Sequence, residues 1–184
     1  MRVIAGTARG RKLRPVPGDS TRPITDRVKE SLFNIIGPDI QGANFLDSFA
    51  GTGSVGIEAL SRGAAAAFFI DLKRQAIETV KFNLNLTRLS AHARVIRGDV
   101  FTFLEKPAVQ QFDYVYIAPP QYQGIWKKML LLVDQRLDWL TEDAWVIVQI
   151  HPREIEDIEL SKLVEFDRRN YGSTLLIFFQ PKMT

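Results

Sequence analysis

One stretch, Phe45 to Asp71, limits what this chain can fold into more than any other. An apolar run, Phe45-Leu46, closes on Asp47, and Ser48-Phe49-Ala50-Gly51-Thr52-Gly53 breaks it. A run with helical spacing extends to Gly63, and Ala64-Ala65-Ala66-Ala67-Phe68-Phe69-Ile70 then closes on Asp71. Two apolar runs, each ending on an acid and separated by a glycine turn and a helix, predict a strand–loop–helix–strand unit with a carboxylate at the end of each strand. Gly51 and Gly53 allow a tight turn and a close approach of backbone to a ligand. Ser54 is the expected N-cap of a helix over Val55–Arg62, and Gly63 its C-cap. The free N–H groups of that helix then point into the crevice above the sheet, where open α/β sheets bind their ligands.

Charge decides which ligand. Gly51-x-Gly53-x-x-Gly56 also satisfies the dinucleotide fingerprint, so the glycines alone are neutral on the point. Asp47, four residues before Gly51, would repel a diphosphate and suits a cationic end such as an ammonium or sulfonium. Asp71, 24 residues after Asp47, is placed to accept two ribose hydroxyls. A cofactor with a cationic amino-acid end and a ribose is S-adenosylmethionine. The alternative is a Rossmann-type turn used for packing or for a nucleotide. Asp47-Ser48-Phe49-Ala50-Gly51-Thr52-Gly53 resembles motif I of the class I methyltransferases in its Asp-x-Phe-Ala-Gly-x-Gly form. The resemblance implies cofactor contacts from Asp47, Phe49, Ala50, Gly51, Gly53, Asp71 and Leu72. It also implies that Asp99 accepts from the adenine amine, that Val100 packs on the ring, and that Ala118 adjoins the cofactor.

The 184 residues suffice for one domain with a sizeable core and a small appendage. No apolar run approaches the roughly 18 residues needed to span a bilayer, and no signal-peptide pattern is present. Zero cysteines exclude disulfides and thiolate metal sites, and fit a cytosolic protein. With His92 and His151 alone, and no cluster at metal-ligand spacing, neither a bound metal nor a membrane partner is expected. A cytoplasmic monomer is the expectation. The net charge of +3 is uneven: residues 1–30 carry eight Lys/Arg against three acids, a net of +5, leaving −2 on the remainder. A basic segment on a near-neutral body is the footprint of a polyanion partner, or a solvated arm with none.

Residues 2–5 and 11–14 read as a small β-hairpin, ended by Pro15, Pro17 and Gly18. Thr25 or Asp26 caps a helix running to about Ile36, with Val28, Leu32, Phe33 and Ile36 on one face. The segment Arg22-Pro-Ile-Thr-Asp-Arg-Val-Lys-Glu, with Arg2-Val-Ile-Ala-Gly and Arg9-Gly-Arg-Lys-Leu, resembles the N-terminus of the bacterial 16S ribosomal RNA guanine-N2 methyltransferases. That resemblance extends to about residue 180. It implies methyl transfer to the exocyclic amine of one guanine in small-subunit RNA, in the free RNA, the small subunit or an assembly intermediate. The basic N-terminal region would grip the RNA. Arg2, Arg9, Arg11, Arg22 and Arg27 are the expected phosphate contacts, giving position rather than sequence reading.

Further helices are expected over Arg74–Leu86, from Phe101 to Glu105 and over Trp126–Leu137. Strands are expected over Ala93–Ile96, Phe112–Ala118, Trp145–Ile150, Leu163–Arg168 and Ser173–Phe179. The expected fold is α/β, a Rossmann-like class I methyltransferase. Its seven-stranded sheet would be mostly parallel with an antiparallel last strand and helices on both faces. Residues 1–40 would be a hairpin-plus-helix appendage and 41–184 the methyltransferase domain.

Amine methylases place Asp/Asn-Pro-Pro-aromatic after the fourth strand. The first side chain and a proline carbonyl accept the amine protons, and the ring stacks on a flipped base. This chain reads Ala118-Pro119-Pro120-Gln121-Tyr122, so the acceptor side chain is missing and the aromatic is one position late. Three readings stay open. In one, the carbonyls of Ala118 and Pro119 take over, Gln121 adds an acceptor and Tyr122 stacks, orientation supplying most of the rate. In another the enzyme is slow or modifies another atom. In the third it only binds RNA. A nicotinamide-dependent oxidoreductase remains as a reading of the glycine triplet.

Overall fold

The computed structural model describes residues 1–18 and 23–183. Two compact units emerge, Met1–Asp99 and Val100–Thr184. In the first, β1 (Asn44–Asp47), β2 (Ala66–Asp71) and β3 (Ala93–Arg97) are parallel, with Asp47 opposite Phe69 and Asp71 opposite Arg97. The interior of β2, Ala67 to Ile70, is buried throughout, as an apolar run in a parallel strand requires. α2 (Ser54–Ser61) packs on β1 and β2, and α3 (Arg74–Thr87) on β2 and β3. Every residue of α2 is buried. Gly56 makes its close approach possible, because a Cβ there would lie 2.4 Å from Phe69 Cε1. α1 (Asp26–Ile36) is capped as expected, Thr25 Oγ1 accepting from the Val28 N–H at 3.3 Å.

Three local expectations give way. The C-cap of α2 is Arg62 and not Gly63, the helix ending at Ser61. Ser54 is not the N-cap of α2 but its first residue. Gly53, at φ 77°, occupies the cap in a left-handed conformation that a serine would adopt only at a cost. The hydroxyl of Ser54 instead accepts from Lys29 Nζ at 3.0 Å. The expected hairpin shrinks to one antiparallel bridge, Arg2 to Lys12, flanked by Val3 N–H to Arg11 O and Gly10 N–H to Val3 O, both 2.9 Å. The reason is a competing acceptor. The N–H groups of Ile4 and Ala5 go to the Glu58 carboxylate at 2.9 and 3.0 Å. Those of Thr7 and Ala8 go to Ser61 O and Oγ at 2.8 and 2.9 Å. Donors that a ladder would use are bound to α2.

In the second unit β4 (Phe112–Ile117) runs parallel to β5 (Leu140–Ile150), and β7 (Thr174–Pro181) is antiparallel to both β5 and β6 (Leu163–Tyr171). The strands follow the order β3-β2-β1 in the first unit and β4-β5-β7-β6 in the second. α4 is Val100–Glu105, and α5 is Ile125–Gln135, where a 3-10 turn at Leu137–Trp139 ends the expected run early. β5 starts five residues before the expected Trp145, because Thr141-Glu142-Asp143 hides its first turn of strand from an apolar reading. Buried Asp134 accepts from the N–H groups of Ser161, Lys162 and Leu163 at 2.9, 2.8 and 2.7 Å, fixing where β6 begins. Among the described residues no helix is long and apolar enough to cross a membrane, and no group of three His, Asp or Glu is placed to hold a metal.

Candidate active site

Because β1, β2 and β3 are parallel, their carboxyl ends bring Asp47, Asp71 and, two residues beyond β3, Asp99 to the same edge of the first unit. The turn between β1 and α2 folds back on that edge. Ala50 N–H donates to Ile70 O at 2.9 Å, and Gly53 N–H to Ala50 O at 2.7 Å. Gly51, at φ 54°, donates its N–H to Asp71 Oδ2 at 2.9 Å. Asp71 Oδ1 accepts from Lys73 N–H at 2.9 Å. Asp47 is 2% exposed, and its Oδ2 accepts from Gly56 N–H at 3.1 Å, within the first turn of α2.

These bonds discriminate between ligands. A nucleotide diphosphate on a glycine-rich turn is held by the turn's N–H groups and the helix N-terminus. Here the Gly51 and Gly56 N–H groups are both taken by carboxylates. The Asp47 carboxyl is pushed up to about 8 from its ordinary 3.8, first by burial and further by the Asp71 charge, with the Gly56 N–H opposing. A positive ligand end would relieve that penalty and an anion would add to it. Each Asp71 oxygen retains acceptor capacity beside its backbone bond. A Cβ built on Gly51 meets nothing within 4 Å, so the turn opens on free space for a ligand. The donor set fits a cofactor with a cationic end and a ribose.

The other expected cofactor contacts lie as follows. Phe49 is half-buried and Ala50 buried on the turn; Leu72 is 64% exposed just after β2; Asp99 is exposed. Val100 is buried as the first residue of α4, in the second unit.

In the second unit Ala118, Pro119 and Pro120 leave β4 half-buried, and Gln121 is exposed. Tyr122 is 65% exposed and sits at φ 60°. A non-glycine residue in that region costs about 1 kcal/mol and persists only where its surroundings hold it. The holding group is Glu154, whose Oε2 accepts the Tyr122 N–H at 2.8 Å. Its Oε1 accepts the His151 N–H at 3.0 Å, within the 3-10 turn Pro152–Glu154 that follows β5. The Tyr122 and His151 ring centroids are 5.7 Å apart.

The basic segment is built into the first unit. Arg9, Arg11 and Arg27 are exposed. Arg2 is exposed but its Nε lies 3.6 Å from Asp26 Oδ2. Arg22 and Asp19 lie outside the described residues. Several supporting residues escaped the sequence reading. Fully buried Lys29 and Glu58 form an ion pair at 3.4 Å. Burial pushes the Lys29 ammonium down, against the pull of Glu58. Buried Asn83 donates to both Thr52 O (2.9 Å) and Arg14 O (3.0 Å), tying the glycine turn to the N-terminal segment. The one sequence signal of Lys29 and Glu58 was a charge inside an apolar helical stretch, Lys29 beside Val28 and Leu32, Glu58 between Ile57 and Ala59; Asn83 had none.

A family described as Conserved hypothetical protein 95 matches residues 1–180. A Bacillus subtilis (strain 168) protein named as a candidate rRNA methyltransferase, YlbH, is 42% identical over 185 residues, spanning 99% of this chain and 100% of its own. Ribosomal RNA small subunit methyltransferase D of Escherichia coli (strain K12) is 39% identical over 150 residues, 81% of this chain and 74% of that one. The solved structure of a candidate methyltransferase, yhhF, from Escherichia coli matches with a TM-score of 0.86 and 34% identity, covering 100% of this chain and 99% of that one.

Proposed function

This chain belongs to the family described as Conserved hypothetical protein 95, and on that premise we propose that it is an S-adenosylmethionine-dependent methyltransferase of 16S ribosomal RNA, acting on the exocyclic N2 amine of a guanine. The relatives' names support the RNA substrate. The observation that carries the cofactor is the turn itself: the Gly51 and Gly56 N–H groups are bound to carboxylates, and one of those, Asp47, is buried with its charged form disfavoured. When bound, S-adenosylmethionine supplies a methyl group activated on a positively charged sulfur. Asp47 balances the cationic end, Asp71 receives the ribose hydroxyls, and Asp99 with Val100 and Leu72 takes the adenine. Phe49, Ala50, Gly51 and Gly53 shape the floor.

A guanine amine is a weak nucleophile because its lone pair is conjugated into the ring. The carbonyls of Ala118 and Pro119, with Gln121, accept its protons and orient it, and neither proline offers a competing N–H. Tyr122 stacks on the flipped base. Residues 1–40 grip the RNA and 41–184 carry the chemistry. The protein works as a cytoplasmic monomer on the small subunit or an intermediate in its assembly. The test is incubation with labelled cofactor and unmodified 16S RNA or small subunits. Label confined to one N2-methylguanine is expected, and its absence refutes the proposal. The missing side-chain acceptor at Ala118 favours a second reading, an RNA-binding homologue without turnover; binding of RNA and cofactor with no transfer in the same assay would select it.

A further inference from the structure

The reaction as proposed uses Tyr122 but leaves unexplained how an exposed tyrosine keeps a left-handed backbone, φ 60°, one position later than the expected aromatic. Glu154 answers that. It is nearly buried, although carboxylates in such a position are uncommon without a specific partner. One oxygen takes the His151 N–H, which by itself would cap the turn Pro152–Glu154. The other takes the Tyr122 N–H, 32 residues earlier in the chain, and so joins the segment after β4 to the segment after β5. His151 is set in turn by the Arg153 N–H, which donates to its Nδ1 at 3.1 Å, and its ring stands beside that of Tyr122. The anchor faces inward and the ring faces outward.

We propose that Glu154 is the positioning residue that presents Tyr122 to the target base, by holding the Tyr122 backbone through one carboxylate oxygen while the other fixes the turn that carries His151. The proposal rests on the reading of Tyr122 as the stacking ring. Stacking needs a ring plane fixed before the base arrives, since an aromatic that samples many directions loses that freedom on binding. A backbone bond to a buried carboxylate supplies that fixation where the segment has neither strand nor helix bonds of its own.

The first measurement needs no activity. Hydrogen exchange at the Tyr122 amide should be slow in the wild type and fast in Glu154→Ala; an amide equally fast in both overturns the proposal. The second is kinetic. Glu154→Ala and Tyr122→Ala should each lower kcat/KM for RNA by about tenfold, the scale of one lost base–aromatic stack, with cofactor affinity unchanged. The double variant should be no worse than either single one. Glu154→Gln keeps one acceptor and should fall between, and it serves if Glu154→Ala folds poorly. Additive losses, or a Glu154 variant with full kcat/KM beside a weakened Tyr122→Ala, overturn the role of Glu154 and leave stacking intact. A fully active Tyr122→Ala overturns both.

Discussion

Asp47 meets two opposed demands. Its carboxylate must be charged to balance a cationic ligand, yet it is buried against the first turn of α2 with Asp71 nearby. In the ligand-free protein its carboxyl is raised from 3.8 to about 8, so the folded state holds a proton that the unfolded state has released. The stability this gives is complete below about pH 4 and is lost as pH rises through about 8. Asp47→Asn keeps an acceptor for the Gly56 N–H and removes the charge. Thermal denaturation of the ligand-free variant should therefore lack the decline between pH 4 and 8, and above pH 8 the variant should melt higher than wild type. Calorimetry should show the reverse for ligand. S-adenosylmethionine should bind the wild type more tightly as pH rises from 6 to 8, and bind the variant weakly at every pH. Equal and pH-independent affinities for the two proteins would remove Asp47 from the site.

At the scale of elements, α2 is the piece on which the N-terminal segment and the glycine turn both depend. Glu58, fully buried, accepts from Ile4 and Ala5 N–H and pairs with Lys29 at 3.4 Å and Arg62 at 2.8 Å. Glu58→Ala leaves the buried Lys29 ammonium and two backbone donors without that acceptor, which should cost about 3–5 kcal/mol. Residues 1–13 should come loose, and limited trypsin digestion should cut at Arg9, Arg11 or Lys12 while the rest of the fold persists. A variant with unchanged Tm and resistant termini would show that α2 does not hold the segment. The pattern of what the sequence disclosed follows the same physics. Glycines and acids at strand ends have local meaning, so β1, β2 and their turn are readable from Asp47, Gly51 and Asp71. The N-cap at Gly53 rather than Ser54 depends on a φ that Lys29, 25 residues before Ser54, helps to make useful by taking the serine hydroxyl. Glu154 and Asn83 gain their roles from partners 32 and 69 residues away, and nothing local in the chain marks them.

At the scale of the whole molecule, the charge asymmetry acquires a shape. Residues 1–30 carry a net +5, and within them the turn between Gly6 and Arg11 is not loose, since it is held at both of its ends. Gly6 and Gly10 take φ of 82° and 83°, and Arg9 and Arg11 N–H groups donate to Gly6 O and Ala8 O at 3.2 Å each. The Thr7 and Ala8 donors on Ser61 fasten this turn to α2. Arg9 and Arg11 are therefore presented from a fixed backbone, whereas the Arg2 guanidinium must leave Asp26 before it can meet a phosphate. If both are phosphate contacts, Arg9→Ala and Arg11→Ala should each weaken RNA binding about equally for any sequence, and each should reduce the salt slope of log K by about one. Arg2→Ala should reduce it by less. Cofactor affinity should not change in any of the three, because the carboxylates of the glycine turn are untouched. Filter binding of 16S RNA from 50 to 200 mM salt reads the slopes directly. Slopes identical to wild type for Arg9→Ala and Arg11→Ala would move the RNA surface away from this turn, and a loss restricted to one RNA sequence would make these arginines readers of bases instead of holders of backbone.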